Sequence, residues 1–263
     1  MLPIDIPLAL MVLAGGALGA IVGSFVAALV MRWPRGESVV GGRSRCDSCG
    51  GTLRAGELVP VLSYLMQFGR CRRCGVRIDP KHPAIELAGA LIGVVSVLAH
   101  PLPLALVTAG FAWWLLAVAA IDAEEQWLPD ALTLPLVPLG LLAAWAGLGP
   151  PLLDRALGAV VGGLGLALLA WIYRALRGRE GMGGGDPKLL AGIGAWLGVL
   201  QLPFVLLGAG LVGIVAALAM TARGQAVGAA TRLPLGSLMA VAAWPLWILV
   251  AGNSSAAIHL YML

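Results

Sequence analysis

The sequence predicts an all-α polytopic membrane protein. It has about eight transmembrane helices, with a small zinc-binding cytoplasmic domain between the first and second. Three observations carry that prediction. Hydrophobic residues make up 60% of the 263-residue chain and charged residues only 11%, against about a quarter charged in soluble domains. The apolar residues gather into stretches near the roughly 20 residues that cross a bilayer core. All four cysteines fall in the one sizeable polar segment, residues 32–83.

The first apolar stretch is 8–31, LALMVLAGGALGAIVGSFVAALVM. It lacks a basic leading region and is longer than the core of a cleavable signal peptide, so it reads as a retained anchor. Gly15, Gly19 and Gly23 recur at four-residue spacing on one face of it. Small residues at that spacing let two membrane helices pack closely. Further stretches follow at 84–100, 102–121, 131–148, 156–173, 188–200, 203–221 and 234–251, the sixth span (188–200) being the shortest. Gly158 and Gly162 repeat the four-residue spacing in the fifth span.

Ten of the 17 Lys and Arg residues lie in 32–81, and most of the rest at 174–188 and 223–232. The positive-inside rule makes those three segments cytoplasmic. Eight spans then put both termini on the outer side of the membrane. The loop 122–130 falls inside by counting spans, since its charge is acidic. The net charge of +4 is thus a topology signal.

In the polar segment the cysteines read CDSC, 21 intervening residues, then CRRC. Two such knuckles suit one tetrahedral Zn²⁺ held by Cys46, Cys49, Cys71 and Cys74. Gly50 and Gly75 end the knuckles and permit the tight turn beneath a metal. Two disulfides are the alternative, and a cytoplasmic location argues against them. A closed four-thiolate site has no position for water, so the zinc is structural. It stabilises a domain too small for a self-sufficient core. Arg70, Arg72, Arg73 and Arg77 crowd the second knuckle. No aromatic stripe accompanies them, so contact with anionic lipid is favoured and no nucleic-acid partner is expected.

Few acids stand at the span edges: Glu86, Asp122, Asp130 and Asp186. Carboxylates at membrane depth are costly and mark function. Asp130 is well placed to cap the fourth helix. Asp186, followed by Pro187, also resembles a helix start. Three glycines (183–185) precede it, more than a cap needs, and they leave room for a substrate backbone. Asp122 closes the third span, where the helix dipole opposes a negative charge, so folding does not ask for it. Two carboxylates at one level of a bundle can divide the work of an aspartic protease between a base for water and an acid for the peptide carbonyl. Lys188 and the helix start favour the anion at Asp186, the base. Glu124 and Glu125 favour the protonated form of Asp122, the acid. His82, His100 and His259 form neither a triad nor a metal spacing.

These residues together resemble the type IV prepilin peptidases, a GxGD-type family of membrane aspartic proteases. The resemblance covers nearly the whole chain. It rests on GSF at 23–25, RSRCDSC, VPVLSYL and GRCRRC, HPAIE at 82–86, ID at 121–122 with LPD at 128–130, and GMGGGDPKLLAGIGAWLG. It implies cleavage of the basic leader from prepilins or pseudopilins at the cytoplasmic membrane face, with Asp122 and Asp186 as the catalytic pair and Asp130 as their companion. It also implies N-methylation of the new terminal residue with S-adenosylmethionine. No glycine fingerprint following a strand marks a methyl-donor site. The domains then read as a first transmembrane helix (1–31), the zinc-binding domain (32–83) and a seven-helix aspartic protease core (84–263). A transporter with a broken helix at GGGD would require a repeat of its spans, and none is visible. A non-catalytic assembly scaffold would not need both aspartates.

Overall fold

The computed structural model describes residues 7–39, 41–178, 181–228, 231 and 233–261, with side chains as far as Gly252. Arg179, Arg232 and the side chain of His259 lie outside the described residues. Every regular element among the described residues is helical, and six helices are long and apolar enough to cross a membrane. The chain divides into two compact units, residues 1–117 and 118–263.

In the first unit, α1 (Leu8–Arg32) and α3 (Lys81–Ala99) enclose the polar segment, which contains one short helix, α2 (Leu62–Met66). α1 and α3 pack through glycines, as the spacing in the first span predicts. A Cβ at Gly19 would run into the carbonyl of Gly89, and one at Gly15 would meet the Gly93 carbonyl. At Gly23 it would lie 2.7 Å from the Ile85 carbonyl and 2.8 Å from Glu86 Cα. Membrane helices gain by such backbone contact, since lipid gives them no hydrophobic drive to associate. The helix α4 (Leu104–Glu125) begins in this unit, and Trp113 Nε1–H donates to the Gly89 carbonyl at 2.9 Å.

The second unit contains the end of α4, then α5 (Asp130–Thr133), α6 (Leu136–Trp145), α7 (Leu152–Arg177), α8 (Gly185–Leu197), α9 (Leu202–Ala222) and α10 (Leu235–Tyr261). Two expected spans are shorter than a full crossing. The fourth divides into α5 and α6 at Pro135, since proline ends the preceding helix. The sixth is α8, and it stops at Gly198, whose φ of +87° leaves the helical region. The Asp154 carboxylate sits against Gly198 and accepts the Val199 N–H at 3.2 Å.

α8 is the hub, touching α5, α6, α7, α9 and α10. Leu189, Ile193, Ala195 and Leu197 are fully buried, as expected of a helix apolar on all sides. Close packing again needs glycine. A Cβ at Gly162 would lie 2.7 Å from the Leu190 carbonyl, and Gly158 faces Gly194 backbone to backbone. Across the hub, Trp196 Nε1–H donates to the Leu136 carbonyl at 3.0 Å, and its ring meets Trp247 edge-on at 5.3 Å. Arg155 is fully buried. Its guanidinium donates to the carbonyls of Gly140 (2.8 Å) and Leu148 and lies 5.0 Å from the Trp247 ring. One cation thereby ties α6, α7 and α10 together.

Candidate active site and metal centre

Asp122 and Asp186 both lie in the second unit and both are buried, at 5% and 6% exposure. Asp122 occupies the last turn of α4 and Asp186 the first turn of α8. They are near enough to interact electrostatically. Asp122 Oδ2 accepts the Ser237 N–H at 2.7 Å and the Ser237 hydroxyl at 3.1 Å. The same hydroxyl reaches the Ala119 carbonyl at 2.7 Å, so Ser237 fixes the carboxylate to the end of its own helix. Asp186 Oδ2 accepts the Gly183 N–H at 3.1 Å. Each carboxylate is therefore held by the protein through its Oδ2.

The glycines before Asp186 serve different ends. A Cβ at Gly185 would fall 2.5 Å from Leu128 Cβ, so the fold itself demands glycine there. Gly183 and Gly184 are exposed, and a Cβ at Gly184 would meet nothing within 4 Å. Their freedom leaves space beside the carboxylate. α8 begins at Gly185, two residues before Pro187, because the Asp186 N–H turns back onto the Gly183 carbonyl at 3.3 Å.

Two expectations need correcting. Lys188 does not support the Asp186 anion: its Nζ donates to Asp130 Oδ1 at 2.6 Å. Asp130 does not cap the fourth helix with its side chain either. It is the first residue of α5 after Pro129, and its carboxylate points to Lys188. Sequence reasoning also missed Gly236 and Ser237. A Cβ at Gly236 would lie 2.9 Å from Asp122 Oδ2, so only glycine lets the carboxylate approach. The signal was a Gly-Ser pair after Pro234 at the head of the last span.

The metal centre belongs to the first unit. The two knuckles have the same form. Gly50 N–H returns to the Cys46 carbonyl and Gly75 N–H to the Cys71 carbonyl, each at 2.9 Å. Both glycines are left-handed, at φ +65° and +71°. Cys46 N–H then donates to the Gly51 carbonyl and Cys71 N–H to that of Val76. Isolated antiparallel bridges, Arg45 with Thr52 and Arg70 with Arg77, flank the knuckles. The four cysteines are free of disulfides, and their sulfurs all lie within 4.8 Å of one another. Cys46 and Cys74 Sγ stand 3.9 Å apart, close to the roughly 3.8 Å edge of a tetrahedron with 2.3 Å Zn–S bonds. Backbone N–H groups of Cys74 and Arg73 pull the Cys71 thiol down to about 7. The donor set fits a divalent metal ion.

The profile of the type IV leader peptidase family matches residues 109–218, and that of the bacterial peptidase A24 N-terminal domain matches residues 17–100. A prepilin leader peptidase/N-methyltransferase from Pseudomonas putida is 38% identical over 251 residues, covering 86% of each chain.

The chain belongs to the type IV leader peptidase family.

The likeness extends across several relatives. A protein of the same name from Neisseria gonorrhoeae is 34% identical, over 96% of this chain and 92% of its own. A type 4 prepilin-like proteins leader peptide-processing enzyme from Escherichia coli is 36% identical, over 85% and 88%. No solved structure matches. The family profiles cover both the cysteine segment and the aspartate pair, and the multi-pass helical architecture fits family members that act at the inner membrane.

Proposed function

We propose that this protein is a prepilin leader peptidase with an attached N-methyltransferase activity. Asp122 and Asp186 are the catalytic pair, and prepilins or pseudopilins are the substrates. The observation that carries the reading is the pair itself. Two buried carboxylates come from different helices of one unit, each anchored through one oxygen. One carboxylate would face a water molecule and the other a peptide carbonyl.

In the cleavage step one carboxylate, ionised, takes a proton from water as the water oxygen bonds to the scissile carbonyl carbon. The other, protonated, hydrogen-bonds the carbonyl oxygen and stabilises the charge developing there. Collapse breaks the C–N bond, and the departing amine receives a proton from the pair. We assign the base to Asp186, at a helix N-terminus, and the acid to Asp122, at a helix C-terminus. The dipoles favour that division, now without a contribution from Lys188. Ser237 keeps Asp122 in place. Exposed Gly183 and Gly184 leave room for an extended substrate.

Zn²⁺ bound by Cys46, Cys49, Cys71 and Cys74 would be structural, since four thiolates leave no position for water. S-adenosylmethionine, when bound, supplies an electrophilic methyl group for the amine that cleavage exposes. The domain division follows: an anchoring helix at 1–31, the zinc-binding domain at 32–83, and the aspartic protease core at 84–263. The Lys and Arg distribution supports a cytoplasmic face for the zinc-binding domain and catalytic pair, outer termini, and lipid contact through the arginines of the second knuckle. The test is incubation of the detergent-purified protein with a prepilin, read by N-terminal sequencing and mass. Cleavage with a 14 Da gain on the mature chain is expected. An uncut substrate would refute the reading.

A further inference from the structure

The cysteine segment carries a short helix whose polarity is reversed. Ser63 and Tyr64 of α2, with Gln67 just after it, line the interior cavity of the first unit. Leu62, Leu65, Met66 and the following Phe68 are exposed, as are Leu58 and Val59 ahead of the helix. A helix that borders water turns its apolar residues inward. Here the apolar face is the outer one, and exposed apolar residues gathered in this way mark a surface that meets something other than water.

Phe68 is the residue to explain. It is 89% exposed, so its ring fills no space in the fold. Its φ is +50°, a conformation that is costly for any residue but glycine. The turn itself has a clear purpose. Gly69 N–H returns to the Tyr64 carbonyl at 2.9 Å and Phe68 N–H to the Leu65 carbonyl at 3.1 Å, which closes α2 on a left-handed residue. Glycine ordinarily fills that position. A phenylalanine there lowers stability for the sake of an exposed ring, which a partner outside the fold explains.

The position of the patch identifies that partner. Glu86 Oε2 accepts the Val61 N–H at 2.7 Å, so the turn into α2 is tied to α3. α3 has 19 residues, about 28 Å at 1.5 Å per residue. A bilayer core is about 30 Å thick, so α3 crosses it with no length to spare and Lys81 stands at its edge. Glu86 lies five residues further in, at about 7 Å. Gly23 of α1 packs against its Cα at the same level. Side chains on a helix lean toward its N-terminus, which lifts the carboxylate and Val61 back toward Lys81. α2 is thus held at the boundary between headgroups and acyl chains, where amphipathic helices lie in the plane of a membrane with their apolar face sunk by about 5–10 Å. Arg70, Arg72, Arg73 and Arg77 follow the patch and are exposed. Their charge complements anionic headgroups.

We propose that residues 58–68 form an in-plane wedge seated in the anionic leaflet that α1 and α3 enter beside it, with Glu86 as its tether and the second-knuckle arginines on the headgroups. The proposal rests on the lipid contact given above and on no catalytic step. It accounts for two features together. Glu86 is a carboxylate only 8% exposed near the start of an apolar helix, because a backbone N–H at lipid level has no water to bond and must find its acceptor in the protein. The polar side chains of α2 point inward because hydrocarbon covers the other face.

The test puts a photoreactive probe on the patch. Phe68 is replaced by p-benzoylphenylalanine in the full-length, zinc-loaded protein, held in nanodiscs of phosphatidylglycerol and phosphatidylethanolamine. Leu65, 61% exposed, carries the probe in a second preparation, and bound zinc and the melting temperature check that each is folded. After irradiation and alkaline hydrolysis, mass spectrometry should find a fatty acyl chain on the peptide that bears the probe, as the main product. Glu86→Ala unties Val61 and should lower that yield at least twofold, whereas Glu86→Gln keeps an acceptor and should not. Equal yields in the two would overturn the tether. No acyl adduct in either folded preparation would overturn the seat. So would a cross-linked dimer as the main product, which would make the patch an interface between copies, or a cross-link to added prepilin, which would make it a substrate surface. Prepilin cleavage is read on the same preparations. An active enzyme without the lipid adduct loses the seat and keeps the peptidase reading, and an inactive one with the adduct does the reverse.

Discussion

Gly236→Ala isolates the geometry of the proposed catalytic pair from the stability of the fold. The new Cβ would stand 2.9 Å from Asp122 Oδ2 and 2.8 Å from Leu128 Cδ1. Ordinary contact begins at 3.4 Å, so the carboxylate oxygen must retreat by on the order of 0.5 Å. A 1 Å misplacement costs about a hundredfold in rate, which puts half of that near tenfold, or ~1.4 kcal/mol. The retreat also stretches the two Ser237 hydrogen bonds, at about 0.5–1.5 kcal/mol for each one lost. A fall in kcat of about 10- to 100-fold is expected. The fold should not suffer. The atoms in the way are the ends of side chains, and alanine favours a helix over glycine by up to about 1 kcal/mol. The assay is steady-state prepilin cleavage with kcat and KM separated, beside a thermal melt. Wild-type kcat in a folded Gly236→Ala protein would refute the claim that this glycine exists to admit the carboxylate. A collapsed melting temperature would mean that its role is packing.

Asp122→Asn and Asp186→Asn should each abolish cleavage in a folded, membrane-inserted protein, whereas Asp130→Asn should retain much of the rate; prepilin gel-shift assays of the three would decide. Ser237→Ala keeps the N–H bond to Asp122 and loses the hydroxyl, so a fall in kcat of about tenfold with little change in KM is expected. Cys71→Ser should lower bound zinc below the one equivalent expected of a four-thiolate site and loosen residues 32–83 to protease, which elemental analysis and limited proteolysis would report. Lys188→Gln breaks a half-exposed ion pair with Asp130, worth at most about 1 kcal/mol. It should leave the pH profile of cleavage nearly unmoved, and a large shift would return Lys188 to the neighbourhood of Asp186. Arg155→Met leaves two buried carbonyls without donors and should destabilise the second unit by ~2–5 kcal/mol, read as a lowered melting temperature.

The parts of this protein that were legible in the sequence are those fixed by local chemistry. Long apolar runs have to be membrane helices, because a backbone in lipid can satisfy its polar groups only within itself. Four cysteines in two knuckles, each closed by a glycine, form a cluster fit to hold a metal ion, and its turns are built within a few residues. Glycine at four-residue spacing foretold close helix packing, which the structure shows between α1 and α3 and between α7 and α8. Asp122 and Asp186 stood out because apolar spans do not tolerate acids without cause. What the sequence could not give was whatever depends on residues distant in the chain meeting in space. Lys188 lies two residues from Asp186 yet reaches across to Asp130, because the helix start turns the two side chains apart. Ser237 is 115 residues from Asp122, and no pattern along the chain joins them. The short sixth span became the buried hub only once its neighbours closed around it. Helical periodicity and knuckle turns arise from bonding between near neighbours, whereas the partner of each carboxylate is settled by how the helices pack.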